Sequence, residues 1–180
     1  WQSSTIGGTV SQSNLPANPE EGKMYDFPPS SPGLDPNCPH DTKGMKLRWD
    51  NIGDRLDFSI PAAQQDVSAF AVLSFRITQK TVSASNPANQ SQNLRVALKD
   101  AANNERAIRV SAFSEIPYPD PHPFGYTKSA MNTIRIPLTS YTIVCAGQVK
   151  VDLQNVVSVS FIFSENATGE IDIDEIEFSN

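Results

Sequence analysis

The chain has 180 residues, enough for one full-sized domain that buries most of its apolar surface. Hydrophobic residues make up 38% and charged residues 19%, a globular balance, while 14 prolines point to many loops and edges. With 14 basic against 20 acidic residues the net charge is -6. That argues against nucleic acid, whose binders carry a basic patch or stripe, and no run of eighteen apolar residues is present to read as a membrane span.

The opening Trp1-Gln2-Ser3-Ser4 has neither a charged start nor an apolar stretch, so a mature product or an excised domain is expected. Residues 1–43 are rich in Ser, Pro, Gly and Asn and read as an extended wrapping segment or linker, with Met24 to Phe27 able to pair as an edge strand. From Gly44 the character changes. Met45 to Asp50 and Leu56 to Pro61 form two short strands around the turn Asn51-Ile52-Gly53-Asp54. Phe70 to Val82 is a long strand, and Leu94 to Lys99 with Ile108 to Phe113 flank the turn Asn103-Asn104 as a hairpin. A Pro-rich loop runs from Glu115 to Met131, and Thr133 to Leu138 makes another strand. Val156 to Phe163 alternates apolar and polar side chains, turns through Glu165 to Gly169, and returns as Glu170 to Phe178. Many short strands with turn signals and no helical period predict an all-β fold, an antiparallel two-sheet sandwich over 44–180.

Asp172 and Asp174 stand in an otherwise β-prone run, where Asp is depleted. A bound cation would offset that cost, and an exposed acidic edge strand that discourages association is the alternative. The closing pattern Ile173-Asp174-Glu175-Ile176-Glu177-Phe178, preceded by Val151-Asp152-Leu153-Gln154-Asn155-Val156 and the strand to Phe163, resembles the last strand pair of calcium-containing jelly-roll carbohydrate-binding modules. Asp66 to Arg76 and Asn132 to Leu138 are similar to the same group, so the resemblance spans 44–180. It implies a jelly-roll sandwich, a secreted accessory domain of a polysaccharide-active hydrolase, and a structural calcium. In those modules the residue matching Asp174 holds an ion that joins the last strand to the start of the chain. Asp26 and Asp50 are the nearest plausible partners.

Cys38 and Cys145 are too few and too far apart for a zinc site; they form one disulfide in a secreted protein or stand as two unrelated thiols. The triplets Asn89-Gln90-Ser91 and Asn166-Ala167-Thr168 both fall in loops. For catalysis the chain offers two histidines, His40 and His122, each beside prolines, and no nucleophile elbow, His-Glu-x-x-His pair or phosphate loop. A non-catalytic role is expected.

Alternation directs Arg76, Arg95, Arg109 and Arg135 away from their apolar neighbours. On one sheet they would form a patch for carboxylate or sulfate groups; the alternative is internal pairing with Asp or Glu. A pyranose lays its apolar face on an aromatic ring while its hydroxyls need polar partners. Phe58, Phe75, Phe161, Phe163 and Phe178 follow strand periodicity and belong to the core, whereas Trp49, at a strand end, is a candidate for exposure. The loop Ile116 to Tyr126 packs three aromatics and four prolines into eleven residues, a stiff surface segment with little entropy to lose on binding. Tyr118, Phe124 and Tyr126 are the expected stacking platform, with Asp120, His122 and Lys128 as polar neighbours.

Overall fold

The computed structural model describes residues 10–13, 20–23, 43–80, 83–121, 127–128, 131–143, 147 and 149–180. Within them the chain is an antiparallel β-sandwich of jelly-roll type. The strands, in chain order, are β1 (Val10–Ser13), β2 (Glu20–Lys23), β3 (Lys43–Trp49), β4 (Asp54–Ser59), β5 (Val72–Gln79), β6 (Arg95–Asp100), β7 (Glu105–Arg109), β8 (Asp120–Pro121), β9 (Thr127–Lys128), β10 (Asn132–Pro137), β11 (Val156–Phe163) and β12 (Gly169–Ser179). One helical turn, α1 (Thr139–Thr142), joins β10 to the segment before β11. The first sheet has the order β1-β4-β11-β6-β7 and the second β10-β5-β12-β3-β2, with β8 and β9 as a separate two-stranded hairpin.

Alternation decides which side chains enter the core. Leu73, Phe75 and Ile77 of β5 are buried between the sheets, as are Leu56 and Phe58 of β4 and Val159, Phe161 and Phe163 of β11. Phe161 of the first sheet meets Phe75 of the second edge to face, with ring centroids 5.1 Å apart, and meets Phe58 in the same manner at 5.8 Å. Such pairs add about 0.5–1.5 kcal/mol beyond their buried area.

Eight of the strands, β3 to β7 and β10 to β12, match the sequence reading in order, with ends displaced by a few residues, whereas β1, β2, β8 and β9 have no counterpart in it. Within the segment 1–43, β1 pairs along the edge of the first sheet through β4, and β2 along the edge of the second through β3. The segment Met24 to Phe27, expected as the edge strand, lies outside the described residues. The acidic strand β12 is no edge, because it is hydrogen-bonded to β3 on one side and β5 on the other.

Its pairing with β5 shifts between Asp174 and Glu177, a bulge that sets Glu175 and Ile176 against the single residue Phe75. Glu175 carries the bend at φ 49, in the left-handed region. The bulge restores Ile176 to the core while leaving Asp172, Asp174 and Glu177 on the outer face.

Candidate functional site

On the outer face of the first sheet, register places side chains in rows across four strands. Arg55 of β4, Ile162 of β11, Arg95 of β6 and Arg109 of β7 form one row. Asp57, Ser160, Ala97 and Ala107 form the next. Ser59, Ser158, Lys99 and Glu105 form the third. The middle row is small, and Ser160 and Ala97 are fully covered although they point away from the core.

Arg55 lies over Ser160. Its guanidinium donates to Asp57 Oδ1 at 2.8 Å, to Ser160 Oγ at 2.8 Å, and to both carboxylate oxygens of Glu105 at 2.9 and 3.3 Å. Burial alone would lower its proton affinity, but the two carboxylates reverse the sign and raise it. Arg55 and Glu105 belong to strands three spacings apart and rows four residues apart along β6. On a flat sheet that is about 20 Å between backbones, further than the two side chains reach together. Their contact means that sheet twist folds this diagonal of the face inward, into a trough with Arg55 and Glu105 across it.

At the rim of the trough, Arg95 and Arg109 face each other directly across β6 and β7. Both Nε atoms donate to the same oxygen, Oε1 of Glu165, at 2.9 and 3.1 Å. Those hydrogen bonds and charges hold the Glu165 carboxyl below its ordinary range. Just beyond them Asn93 Nδ2 donates to Ser111 Oγ at 3.0 Å.

The residues singled out in the sequence divide between several places. Arg95 and Arg109 share the first sheet, whereas Arg76 and Arg135 lie on the outer face of the second, so no single patch holds all four. Arg76 pairs with Glu175 at 3.5 Å, and Arg135 is exposed opposite Ser74. Trp49 is not available as a platform. It is fully buried, stacked on Phe163 with centroids 4.3 Å apart, and its Nε1 donates to the carbonyl of Asn166 at 3.0 Å. A Trp at a strand end is sealed here because the β11–β12 turn folds over it.

Tyr118 is half-buried between exposed Pro117 and buried Pro119. Asp120 pairs in register with Lys128 in the β8–β9 hairpin, and Phe124, Tyr126 and His122 lie outside the described residues. The hairpin follows Ile116, whose carbonyl accepts a hydrogen bond from Gln79 Nε2 at 2.8 Å. Phe178, expected in the core, is half-buried and stacks on the exposed Phe70 with centroids 6.2 Å apart, an aromatic pair that the sequence reading did not single out. It lines an apolar hollow of about 370 Å³ with Ile60 and Val67 at one end of the sandwich.

For a cation, Asp174 lies opposite Arg76 on the second sheet, and burial raises its proton affinity against the opposing hydrogen bond from Glu175 N–H. Asp50 is removed as its partner. The register places Met45 beside Ile173 and Trp49 beside Gly169, so Asp50 sits six residue steps from Asp174, about 20 Å at ~3.3 Å per residue. Asp50 accepts instead from Arg48 at 3.3 Å. Asp26 lies outside the described residues, as do Cys38 and Cys145. Among the described residues no three metal-ligating side chains gather in one cluster, and no helix is long and apolar enough to cross a membrane.

No protein-family model matches the chain, and no curated protein matches it. Solved structures do. A family 30 carbohydrate-binding module superposes with a TM-score of 0.57 at 9% identity, over 95% of this chain and 80% of the other. An exo-β-agarase gives 0.57 at 15% identity, over 98% of this chain and 23% of the enzyme. A family 11 carbohydrate-binding module from Clostridium thermocellum, in complex with a β-1,3-1,4-mixed-linked tetrasaccharide, gives 0.50 at 17% identity, over 97% and 86%. At these identities the likeness is one of fold.

Proposed function

We propose that this chain is a non-catalytic polysaccharide-binding module whose ligand lies in the trough on the outer face of the β1-β4-β11-β6-β7 sheet. The observation that carries the reading is the inward fold of that face, marked by Arg55 meeting Glu105 across it. A groove that crosses several strands accepts a chain from the side, and its lining of Asp57, Ser158, Lys99 and Asn93 offers donors and acceptors for hydroxyls. The same fold carrying a tetrasaccharide in the Clostridium thermocellum module supports it. Non-catalytic action is supported by the carboxylates themselves. A glycosidase acid needs a raised proton affinity, whereas on this face the Glu165 carboxyl is held below its ordinary range.

The match to less than a quarter of an exo-β-agarase supports a role as an accessory domain of a longer, secreted hydrolase. Such a domain works by effective concentration, keeping a tethered catalyst beside its substrate. A structural calcium held by Asp174, with Asp26 as second ligand, belongs to the same proposal. The stacking role of Tyr118, Phe124 and Tyr126 belongs to it as well. A second reading, an interaction domain without sugar affinity, draws on the internal pairing of Arg76, Arg95 and Arg109.

Affinity electrophoresis through gels containing a broad panel of polysaccharides decides between them. Selective retardation is expected, lost in Ser158→Trp, which fills the trough, and kept in Thr133→Ala on the other sheet. Loss in Phe70→Ala with retention in Ser158→Trp would move the site to the apolar hollow. No retardation of the folded protein on any polymer would refute sugar binding and favour the interaction domain.

A further inference from the structure

We infer that Arg95 and Arg109 form a clasp for an acid group on the polysaccharide, so that the trough selects a carboxylate- or sulfate-bearing glycan over a neutral one. The inference deepens the reading above and rests on it. Two arginines directly opposite on neighbouring strands repel each other and are costly unless something offsets them. Glu165 does so only in part: one carboxylate is shared by two guanidinium groups, which leaves a local charge of one positive unit.

The geometry of the sharing matters more than the charge. Each guanidinium has five N–H donors, and here each spends its Nε–H on Glu165. Among the described residues no other hydrogen bond engages either side chain, and both are substantially exposed, at 39% and 57%. Their Nη groups are therefore left open to a ligand at the rim of the trough, and a guanidinium fork suits bidentate recognition of carboxylate or sulfate. Arg55 differs, because Asp57, Ser160 and Glu105 already occupy its fork.

The rest of the face favours the same class of ligand. Among the described outward-facing residues of β4, β6, β7 and β11 none is aromatic and the one large apolar side chain is Ile162, so these strands themselves offer no ring for a neutral sugar to stack on. Asn93 and Ser111, beside the clasp, suit the hydroxyls flanking an acid group. Because the chain as a whole carries a net charge of -6, nonspecific attraction of polyanions does not account for such binding.

The test is calorimetric titration of the full chain with oligosaccharides of polygalacturonate, of a sulfated galactan, and of neutral mixed-linked β-glucan. One acidic ligand is expected to bind at least about 10-fold tighter than the neutral one, and the two acidic arms separate carboxylate from sulfate. Arg109→Gln and Arg95→Gln should each cost about 10- to 100-fold on that ligand, the range expected for a charged hydrogen bond. Arg109→Lys, which keeps the charge and loses the fork, should lose most of the same affinity. Glu165→Gln, which frees the clasp from its internal acid, should tighten binding severalfold, a gain that a merely structural role would not produce. Arg135→Gln on the other sheet serves as control, and melting temperatures establish that each variant is folded. Equal affinity for neutral and acidic ligands, or unchanged preference in Arg109→Gln, overturns the clasp while leaving polysaccharide binding in place. Binding to none of the three overturns the clasp, and the electrophoretic panel then decides whether sugar binding falls with it.

Discussion

Gly169→Ala tests how Trp49 is held. Gly169 opens β12 directly opposite Trp49 in register. A methyl group there would fall well inside contact distance of the six-membered ring of Trp49 and 2.8 Å from Gln92 Nε2. Carbon atoms need about 3.5–4.0 Å, so the indole would have to retreat by about an ångström or more. It has nowhere to go: one face stacks on Phe163, its Nε1–H is committed to Asn166, and none of its surface is exposed. Overpacking of this kind costs about 1–3 kcal/mol. For a domain of this size that lowers the melting temperature by about 2–4 °C per kcal/mol.

The assay is a double-mutant cycle by chemical denaturation, with Trp49→Phe as second arm. Phe lacks the ring atoms that the methyl group meets, so Gly169→Ala should cost less than about 1 kcal/mol in that background, giving a coupling of at least about 1 kcal/mol. A single variant within about 0.5 kcal/mol of the parent, or strictly additive costs, would refute the close approach. The burial of Trp49 would then be wrong, and its candidacy as a sugar platform would reopen.

Asp100→Asn should be destabilising in a pH-dependent way. The buried Asp100 carboxylate accepts hydrogen bonds from the N–H groups of Ala102, Asn104 and Asp152 and from Asn104 Nδ2. Burial pushes its proton affinity up, but these four donors outweigh it and the net shift is downward. Its stabilisation is therefore present above the ordinary value of 3.8 and is lost as pH falls through the lower folded value. Asn turns one acceptor into a donor, and at the Oδ2 position this leaves both the Asp152 N–H and Asn104 Nδ2 without their acceptor, at a cost of about 1–3 kcal/mol. Unfolding curves from pH 7 down to pH 2 should converge with the parent at the acid end, and parallel curves would sink the assignment. Asp174 has the opposite sign. Its folded carboxyl holds a proton more tightly than 3.8, so without a cation its contribution to stability falls as pH rises through that window. Asp174→Asn should accordingly melt no lower than the parent in chelator near pH 7, while calcium should raise the melting temperature of the parent and leave the variant unchanged. An equal response of both to calcium would dismiss Asp174 as a ligand.

Period-two alternation made the faces of the strands legible before any neighbour was known. Phe58, Phe75, Phe161 and Phe163 could be assigned to the core, and Arg76, Arg95, Arg109 and Arg135 to outer faces, because side-chain direction along a strand is a local property. The turns at Asn51 to Asp54 and Asn103-Asn104 were legible for a similar reason, since Gly53 at φ 94 and Asn103 at φ 65 are residue types suited to left-handed backbone. Even the bulge left a trace, in the consecutive acids Asp174-Glu175 that interrupt the alternation.

Strand neighbours are a different kind of fact. They depend on pairings between residues far apart in the chain, and only the tertiary structure decided that Arg95 and Arg109 share a sheet while Arg76 and Arg135 occupy the other. The same applies to Trp49, whose place at a strand end is compatible with exposure until the distant β11–β12 turn covers it. Arg55 carried no signal at all: its reach to Glu105, fifty residues away, exists only because the twist of four paired strands folds the face inward. Local chemistry thus settled what each strand shows to solvent, and the long-range register settled which of those groups meet.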